Sequence, residues 1–263
     1  MNQVRLVSCA AAVALAGTVT AAPALASSAE SAENYAALGD SYSSGVGTRE
    51  YFDDSGDCLR GPKAYPQLWA DANSPASFEF VACSGATTEE VSANQLGALD
   101  AETSLVTITV GGNDIGFTDV IQDCLLSDDA GCSGAVDDAE TRMREELPGK
   151  LATTYGDISA GAPNATVVVL GYPRLNELGS CDIPGYTEAK RQRINDAADV
   201  LAEVTATAAD DAGFTYSDVR TAFDGHGVCG ESEWINGPSN PLQESFHPNT
   251  DGHAQGYLAA LSG

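Results

Sequence analysis

Two short runs of β-branched and apolar residues constrain the fold of this chain most strongly. Residues 105–110 (LVTITV) and 165–170 (ATVVVL) are apolar and β-branched on both faces of an extended chain. Strands that are buried on both faces occur almost only in parallel sheets covered by helices on either side. The two runs therefore predict a parallel sheet inside an α/β fold.

Weaker strand candidates and a set of helical patterns alternate along the rest of the chain. Further strands are predicted at residues 35–38, 78–82 and 214–216. Helices are predicted at residues 64–72, 87–96, 136–158 with a break near Pro148, 187–209, and 252–261. Because strands alternate with helices and no repeat or change of composition interrupts them, we expect one α/β domain.

The first 26 residues have the pattern of an export signal. Arg5 precedes an apolar run at residues 10–16, and Ala24-Leu25-Ala26 supplies a small-x-small cleavage pattern. We expect cleavage after Ala26, which leaves residues 27–263 as the mature, secreted domain. A membrane anchor is disfavoured because the uninterrupted apolar stretch is shorter than the roughly 20 residues of a spanning helix. A lipid anchor on Cys9 is disfavoured because this cysteine precedes the apolar run instead of following it.

The charge of the chain excludes some partners, and the cysteines indicate disulfides. With 12 basic and 38 acidic residues the formal net charge is −26, which argues against binding to nucleic acid or to anionic lipid.

Removal of the signal leaves an even number of cysteines, and in an exported chain this indicates disulfides. We predict sequential pairing, with a local bridge across the turn-rich residues 127–131: Cys58 with Cys83, Cys124 with Cys132, and Cys181 with Cys229. A zinc site is disfavoured because no C-x-x-C pair is present.

Four short segments rich in glycine and polar residues carry the candidate chemistry. Three of them follow predicted strands, at residues 39–45, 83–86 and 111–114, and the fourth lies at residues 245–249. Open parallel sheets bind ligands beyond the carboxyl ends of their strands. Together the segments offer a hydroxyl nucleophile, backbone N–H donors, a side-chain amide and an imidazole. These groups are the ones that acyl transfer through a tetrahedral oxyanion requires.

The residues of these segments resemble those of the GDSL, or SGNH, hydrolases. Gly39-Asp40-Ser41-Tyr42-Ser43 is similar to the first block of that family, and Gly85, Asn113 and His247 follow in the order of its later blocks. The six mature cysteines and residues 245–249 (SFHPN) are similar to the actinomycete branch of secreted lipases and esterases, which is phospholipase A1-like. The resemblance implies a three-layer α/β/α sandwich with a flavodoxin-like, parallel, five-stranded sheet.

The resemblance also implies a role for each matching residue. Ser41 would be the nucleophile, with a helix N-cap as its alternative role. The N–H groups of Ser41 and Gly85 and the side-chain amide of Asn113 would form the oxyanion hole. Gly85 could instead serve only a turn, and Asn113 only a cap. His247 would take the Ser41 proton and return it to the leaving alcohol.

The sequence offers more than one group that could orient His247. The family pattern places Asp three residues before the catalytic histidine, and this chain has Glu244 there. We favour the backbone carbonyl of Ser245 or Glu244 over the Glu244 carboxylate, since a backbone carbonyl is sufficient to fix the imidazole tautomer. The two other histidines are expected to be structural, His226 in a loop and His253 on the last helix.

Several carboxylates remain outside this scheme. Asp40 and Asp114 stand beside site residues and are expected to order their loops. The pairs at residues 128–129 and 137–138 could bind a cation, but solvated surface is the favoured interpretation. We expect no metal and no cofactor.

The sequence thus predicts a secreted, monomeric serine ester hydrolase. Its partners would be lipid or simple acyl esters, with no nucleic acid and no membrane segment after signal removal. A carbohydrate O-deacetylase of the same family is the nearest alternative, and a catalytically dead exported binding domain is a second. A dead site should lack one of Ser41, Asn113 or His247, and all three are present.

Overall fold

The chain folds around a parallel sheet of five strands in the order β2-β1-β3-β4-β5. The computed structural model describes Met1 and residues 32–262, so the expected export signal, Cys9 and the cleavage position after Ala26 lie outside the described residues. The strands are β1 Asn34–Gly39, β2 Ser77–Phe80, β3 Leu105–Thr109, β4 Thr166–Leu170 and β5 Thr215–Ser217. All pairings are parallel, and this confirms the predicted sheet.

Helices connect the strands. They are α1 Ser41–Ser44, α2 Tyr65–Asn73, α3 Thr88–Asn94, α4 Phe117–Leu126, α5 Asp129–Glu145, α6 Leu147–Gly161, α7 Glu188–Asp211 and α8 Leu258–Ser262. A π-helical turn at Gly252–Tyr257 leads into α8, and 3₁₀ turns occupy Asp53–Cys58, Leu96–Ala98 and Leu242–Glu244. Within the described residues, no helix combines the length and hydrophobicity that crossing a bilayer requires.

The helix predictions differ from the structure in two places. Helix α4 was missed, and the long helix predicted at residues 136–158 is two helices that separate at Glu146. Pro148 lies in the first turn of α6. Proline is tolerated there because the first N–H groups of a helix have no intrahelical partner. The break near Pro148 was therefore predicted correctly, but α5 begins at Asp129, seven residues before the predicted start.

Both faces of the central strands are buried. Along β1, Ala36 and Leu38 belong to the main hydrophobic core, whereas Tyr35 and Ala37 belong to a second, smaller cluster with Ala70 of α2. Successive side chains of a strand point to opposite faces of the sheet, so the two clusters lie on its two sides. This arrangement is the predicted three-layer α/β/α sandwich.

The six cysteines of residues 32–262 form three disulfides in sequential order, Cys58–Cys83, Cys124–Cys132 and Cys181–Cys229. The second bridge does not close an open loop. Residues 129–131 already belong to the first turn of α5, and Asp128 caps that helix by accepting a hydrogen bond from the Gly131 N–H at 2.9 Å. This disulfide therefore joins the end of α4 to the start of α5.

Candidate active site

Ser41 lies at the carboxyl end of β1, where the chain turns into the short helix α1. Gly39 has φ +120°, and a Cβ there would collide with the Thr109 carbonyl of the neighbouring strand, so the turn requires glycine. Asp40 is the N-cap of α1, and its Oδ1 accepts a hydrogen bond from the Tyr42 N–H at 3.0 Å. Because Asp40 caps the helix, the alternative role of Ser41 as the N-cap is wrong.

His247 contacts the Ser41 hydroxyl. Its Nε2 lies 2.8 Å from Ser41 Oγ, although the two residues are 206 positions apart in the chain. Its Nδ1 lies 2.9 Å from the backbone carbonyl oxygen of Ser245. A carbonyl only accepts, so Nδ1 donates to it and Nε2 is left to accept the serine proton. Burial lowers the pKa of His247 to about 4, while the Ser245 hydrogen bond acts in the opposite direction. The imidazole is therefore a neutral base at neutral pH.

The segment that carries His247 is fixed by its own backbone and by Tyr42. Phe246 has φ +57°, an unusual conformation for a non-glycine residue. Its N–H donates to the Asn236 carbonyl at 2.8 Å, and the Asn236 N–H donates to the His247 carbonyl at 2.9 Å. The Tyr42 hydroxyl donates to the Phe246 carbonyl at 2.6 Å. Tyr42, which the sequence analysis did not single out, therefore ties the segment of Ser41 to that of His247.

The Glu244 carboxylate is held away from His247. It is buried, and its Oε1 accepts a hydrogen bond from the Tyr51 hydroxyl at 2.5 Å. Among the described residues no hydrogen bond joins this carboxylate to the imidazole. The Glu244 carbonyl accepts from Asn236 Nδ2 at 3.3 Å. Of the candidate orienting groups, only the Ser245 carbonyl lies against Nδ1 of His247.

Replacement of Glu244 should therefore have little effect on catalysis. Glu244→Gln keeps an oxygen that can accept from Tyr51, and we expect it to lower kcat by less than about tenfold. An acid-to-amide change in a working serine-protease triad lowers kcat by about 10⁴-fold because it favours the wrong tautomer. Steady-state kinetics on a soluble aryl ester measures the difference. A thousandfold loss in a variant whose circular dichroism is unchanged would show that the carboxylate acts on His247.

Two of the three candidate oxyanion donors lie in one cavity, and the third lies on a neighbouring loop. Ser41 and Asn113 line the same cavity. One amide hydrogen of Asn113 is donated to the Ala86 carbonyl at 3.0 Å, which brings the Gly85 loop beside Asn113 and leaves a second amide hydrogen for another acceptor. In the described part of the chain, the N–H groups of Ser41 and Gly85 have no hydrogen-bond acceptor. Gly85 has φ +83°, and nothing lies within 4 Å of where its Cβ would stand, so the space in front of it is open.

The disulfide Cys58–Cys83 supports the Gly85 loop. Cys83 lies two residues before Gly85, and its N–H donates to the Gly39 carbonyl at 2.9 Å. The Ser84 N–H donates to the Cys58 carbonyl at 3.0 Å. These contacts tie the loop both to the end of β1 and to the segment across the bridge.

Asp40 and Asp114 order the loops around the site. Asp40 is buried, accepts from Thr109 Oγ1 at 2.7 Å and accepts from the Tyr172 hydroxyl at its other oxygen. Burial raises the pKa of Asp40 to about 6, against the effect of these hydrogen bonds. Asp114 accepts from the N–H and the hydroxyl of Thr88, at 3.0 and 2.7 Å. Neither carboxylate is bonded to His247 among the described residues.

The two remaining histidines are engaged elsewhere. His226 contacts the Ser232 carbonyl through Nδ1 at 2.7 Å and stacks on Trp234 with ring centroids 3.6 Å apart. His253 is fully buried, its Nδ1 accepts from the Tyr65 N–H at 3.2 Å, and burial lowers its pKa to about 3. Within the described residues, His247 is the histidine that is hydrogen-bonded to Ser41.

The acidic pairs that could have bound a cation have protein partners or face solvent. Asp128 caps α5, and Asp129 accepts from the Thr187 hydroxyl at 2.6 Å. Asp137 forms an ion pair with Arg193 at 2.7 Å, and Asp138 is exposed. In residues 32–262, no three metal-ligating side chains are grouped as a metal site would require.

The protein is a carboxylic ester hydrolase built on an α/β/α sandwich, as its similarity to known proteins shows. Residues 37–255 match the GDSL-like Lipase/Acylhydrolase family, and the chain belongs to that family. It is 48% identical to Lipase 1 of Streptomyces coelicolor over 97% of this chain and 94% of that protein.

Two solved structures are similar over 88% of this chain and 99% of their own chains. One is an extracellular lipase from Streptomyces rimosus, at 44% identity and a TM-score of 0.86. The other is phospholipase A1 from Streptomyces albidoflavus, at 48% identity and the same TM-score.

Proposed function

We propose that this protein is a secreted serine hydrolase that cleaves esters of long-chain fatty acids through an acyl-enzyme. The observation that carries the chain-length assignment is the apolar lining of a narrow cavity that opens at Ser41 and Asn113 and has about 50 Å³ of water-accessible volume. Helices α4, α5 and α7 supply its apolar walls, which include Val120, Ile121, Ala139, Met143, Ala197 and Leu201. Such a wall offers hydrogen-bonding groups only at the mouth, where the ester would lie.

The geometry supports an ordinary two-step acyl transfer. In the first step Ser41 Oγ attacks the ester carbonyl carbon, and its proton moves to Nε2 of His247. The oxyanion would accept hydrogen bonds from the N–H groups of Ser41 and Gly85 and from the Asn113 amide. The same proton then passes to the leaving alcohol as the ester C–O bond breaks. In the second step a water molecule attacks the carbonyl carbon of the acyl-enzyme, with His247 again taking and returning the proton, and the fatty acid is released.

The Ser245 carbonyl serves both steps. It accepts from Nδ1 of His247, which fixes the tautomer and favours the imidazolium that forms when Nε2 takes the proton. A carbonyl oxygen carries only a partial charge, and the buried imidazole has a lowered pKa. The imidazolium is therefore short-lived and returns its proton readily.

The relatives support a lipid substrate and an exported enzyme. Their names describe lipases and a phospholipase A1, and one structure is of an extracellular lipase. Export of this chain would require the signal at residues 1–26, with residues 27–263 as one monomeric hydrolase domain. An O-deacetylase would make no use of the apolar walls beyond the mouth, and a dead binding domain would not need the Ser41–His247 pair.

A chain-length series tests the proposal. With p-nitrophenyl esters, kcat/KM should be higher for acyl chains of about eight carbons or more than for acetate, because each buried methylene adds about 0.8 kcal/mol. A panel of phospholipid, triglyceride and acetylated sugar then identifies the natural head group. Preference for acetate or for the acetylated sugar would contradict the assignment to long-chain esters.

A variant in the cavity wall sharpens this test. Ala139→Leu should fill part of the cavity and shift the preferred acyl chain to a shorter length while acetate hydrolysis persists. Thr141→Leu is the control, because Thr141 is exposed on the same helix and does not line the cavity. An unchanged chain-length profile in Ala139→Leu would show that the acyl chain binds elsewhere.

A further inference from the structure

We propose that Tyr172 is a positioning residue, whose hydroxyl holds the loops of Ser41 and Asn113 at the separation that the oxyanion hole requires. This inference rests on the proposed role of Asn113 as an oxyanion donor. Tyr172 follows β4, outside the four segments that carry the family pattern.

The Tyr172 hydroxyl bridges the residues that directly precede the two donors. It accepts a hydrogen bond from the Gly112 N–H at 3.2 Å and donates its own proton to Oδ2 of Asp40. Gly112 precedes Asn113, and Asp40 precedes Ser41. A carboxylate can only accept, so the direction of both bonds is fixed. One oxygen atom thus connects two loops that start from different strands.

Hydrogen bonds fix the Asp40 end of this bridge, and packing fixes the tyrosine ring. The other oxygen of Asp40 is held by Thr109 at 2.7 Å and by the Tyr42 N–H at 3.0 Å. The Tyr172 ring packs edge-on against Tyr42, with ring centroids 5.1 Å apart, and is buried. Because the ring is fixed by packing, its hydroxyl can set the distance between Asp40 and Gly112.

The bridge matters for catalysis because oxyanion stabilisation depends on donor geometry. Donors must lie about 2.7–3.1 Å from the developing oxyanion. Without the hydroxyl, Asp40 and Gly112 lose a shared partner, and the Asn113 loop can shift relative to Ser41. The loss should appear in the transition state and not in substrate binding.

Tyr172→Phe tests this, because it removes one oxygen and keeps the ring. We expect kcat to fall by roughly 10- to 100-fold with KM within about threefold of wild type. Tyr155→Phe is the matched control: the Tyr155 hydroxyl is buried and has no partner among the described residues. It should leave kcat and KM unchanged. Wild-type kcat in folded Tyr172→Phe would overturn the proposal.

A double-mutant cycle separates positioning from a general structural effect. In an Asn113→Ala background the separation of the loops no longer matters, so Tyr172→Phe should lower kcat further by less than about threefold. If the loss of kcat in the double variant equals the product of the losses in the two single variants, the proposal for Tyr172 is overturned and the assignment of Asn113 stays intact. A near-normal kcat in Asn113→Ala alone would instead overturn that assignment, and the role of Tyr172 with it.

If Tyr172→Phe does not fold by circular dichroism, Asp40→Asn provides the same test from the other end of the bridge. It keeps the side-chain shape but removes the charged acceptor of the Tyr172 proton. The same lack of additivity with Asn113→Ala is expected, and full additivity would again overturn the proposal.

Discussion

Ser41→Ala should abolish ester hydrolysis, with kcat lowered by about 10⁶-fold, the size of effect seen when a serine hydrolase loses its nucleophile. The hydroxyl supplies the oxygen of the acyl-enzyme, and Oγ of Ser41 is the atom that lies 2.8 Å from Nε2 of His247. The same variant should not react with a fluorophosphonate probe, which labels the wild-type serine. Turnover of a p-nitrophenyl ester and in-gel fluorescence of the labelled protein measure the two losses independently.

Two further variants make this result specific. Ser44→Ala is the matched control, since Ser44 lies on the same short helix and its hydroxyl makes only a long hydrogen bond, 3.3 Å, to the Ser41 carbonyl. It should retain activity and labelling. His247→Ala should lose turnover to the same extent as Ser41→Ala, and the double variant should be no worse, because the two groups act as a unit. Labelling that persists in Ser41→Ala would remove the serine mechanism altogether.

Asn113→Ala should lower kcat by roughly 10²–10³-fold while KM changes much less, which is the usual loss when one oxyanion donor is removed. The amide hydrogen that is not donated to Ala86 would bond more strongly to the ester carbonyl oxygen as negative charge develops on that oxygen. Steady-state kinetics over a range of ester concentrations resolves kcat from KM.

The control for Asn113 is Asn164→Ala. Asn164 also donates its side-chain amide to a backbone carbonyl, that of Ala101 at 3.1 Å, but it is exposed and does not line the cavity. We expect its kinetics to be unchanged. A near-normal kcat in Asn113→Ala would mean that this residue only orders its loop through Ala86.

Helix α4 shows where local patterns stop being informative. Its buried side chains Val120, Ile121 and Cys124 have helical spacing, so a signal was present in the sequence. Its start is obscured because the N-cap is Gly116 in a left-handed conformation, with no side-chain hydrogen bond. By contrast, α3 begins with a full capping box between Thr87 and Glu90, and its start was predicted to within a residue.

The sequence by itself determined the strands and the residue types at their carboxyl ends. A strand that is buried on both faces favours a run of apolar, β-branched residues, and tight turns between strand and helix require glycine and small polar residues. Both signals are local in the chain, so β1, β3 and β4 and the segments of Ser41, Gly85 and Asn113 could be recognised without a structure.

Only the tertiary structure decided how these groups meet. Glu244 and the Ser245 carbonyl are adjacent in sequence, and the choice between them depends on Tyr51, 193 residues from Glu244, which holds the carboxylate away from His247. Tyr172 reaches Asp40 across 132 residues. Such hydrogen bonds depend on the path of the whole chain, because a side chain's partners are set by which elements pack beside it and not by its neighbours in sequence.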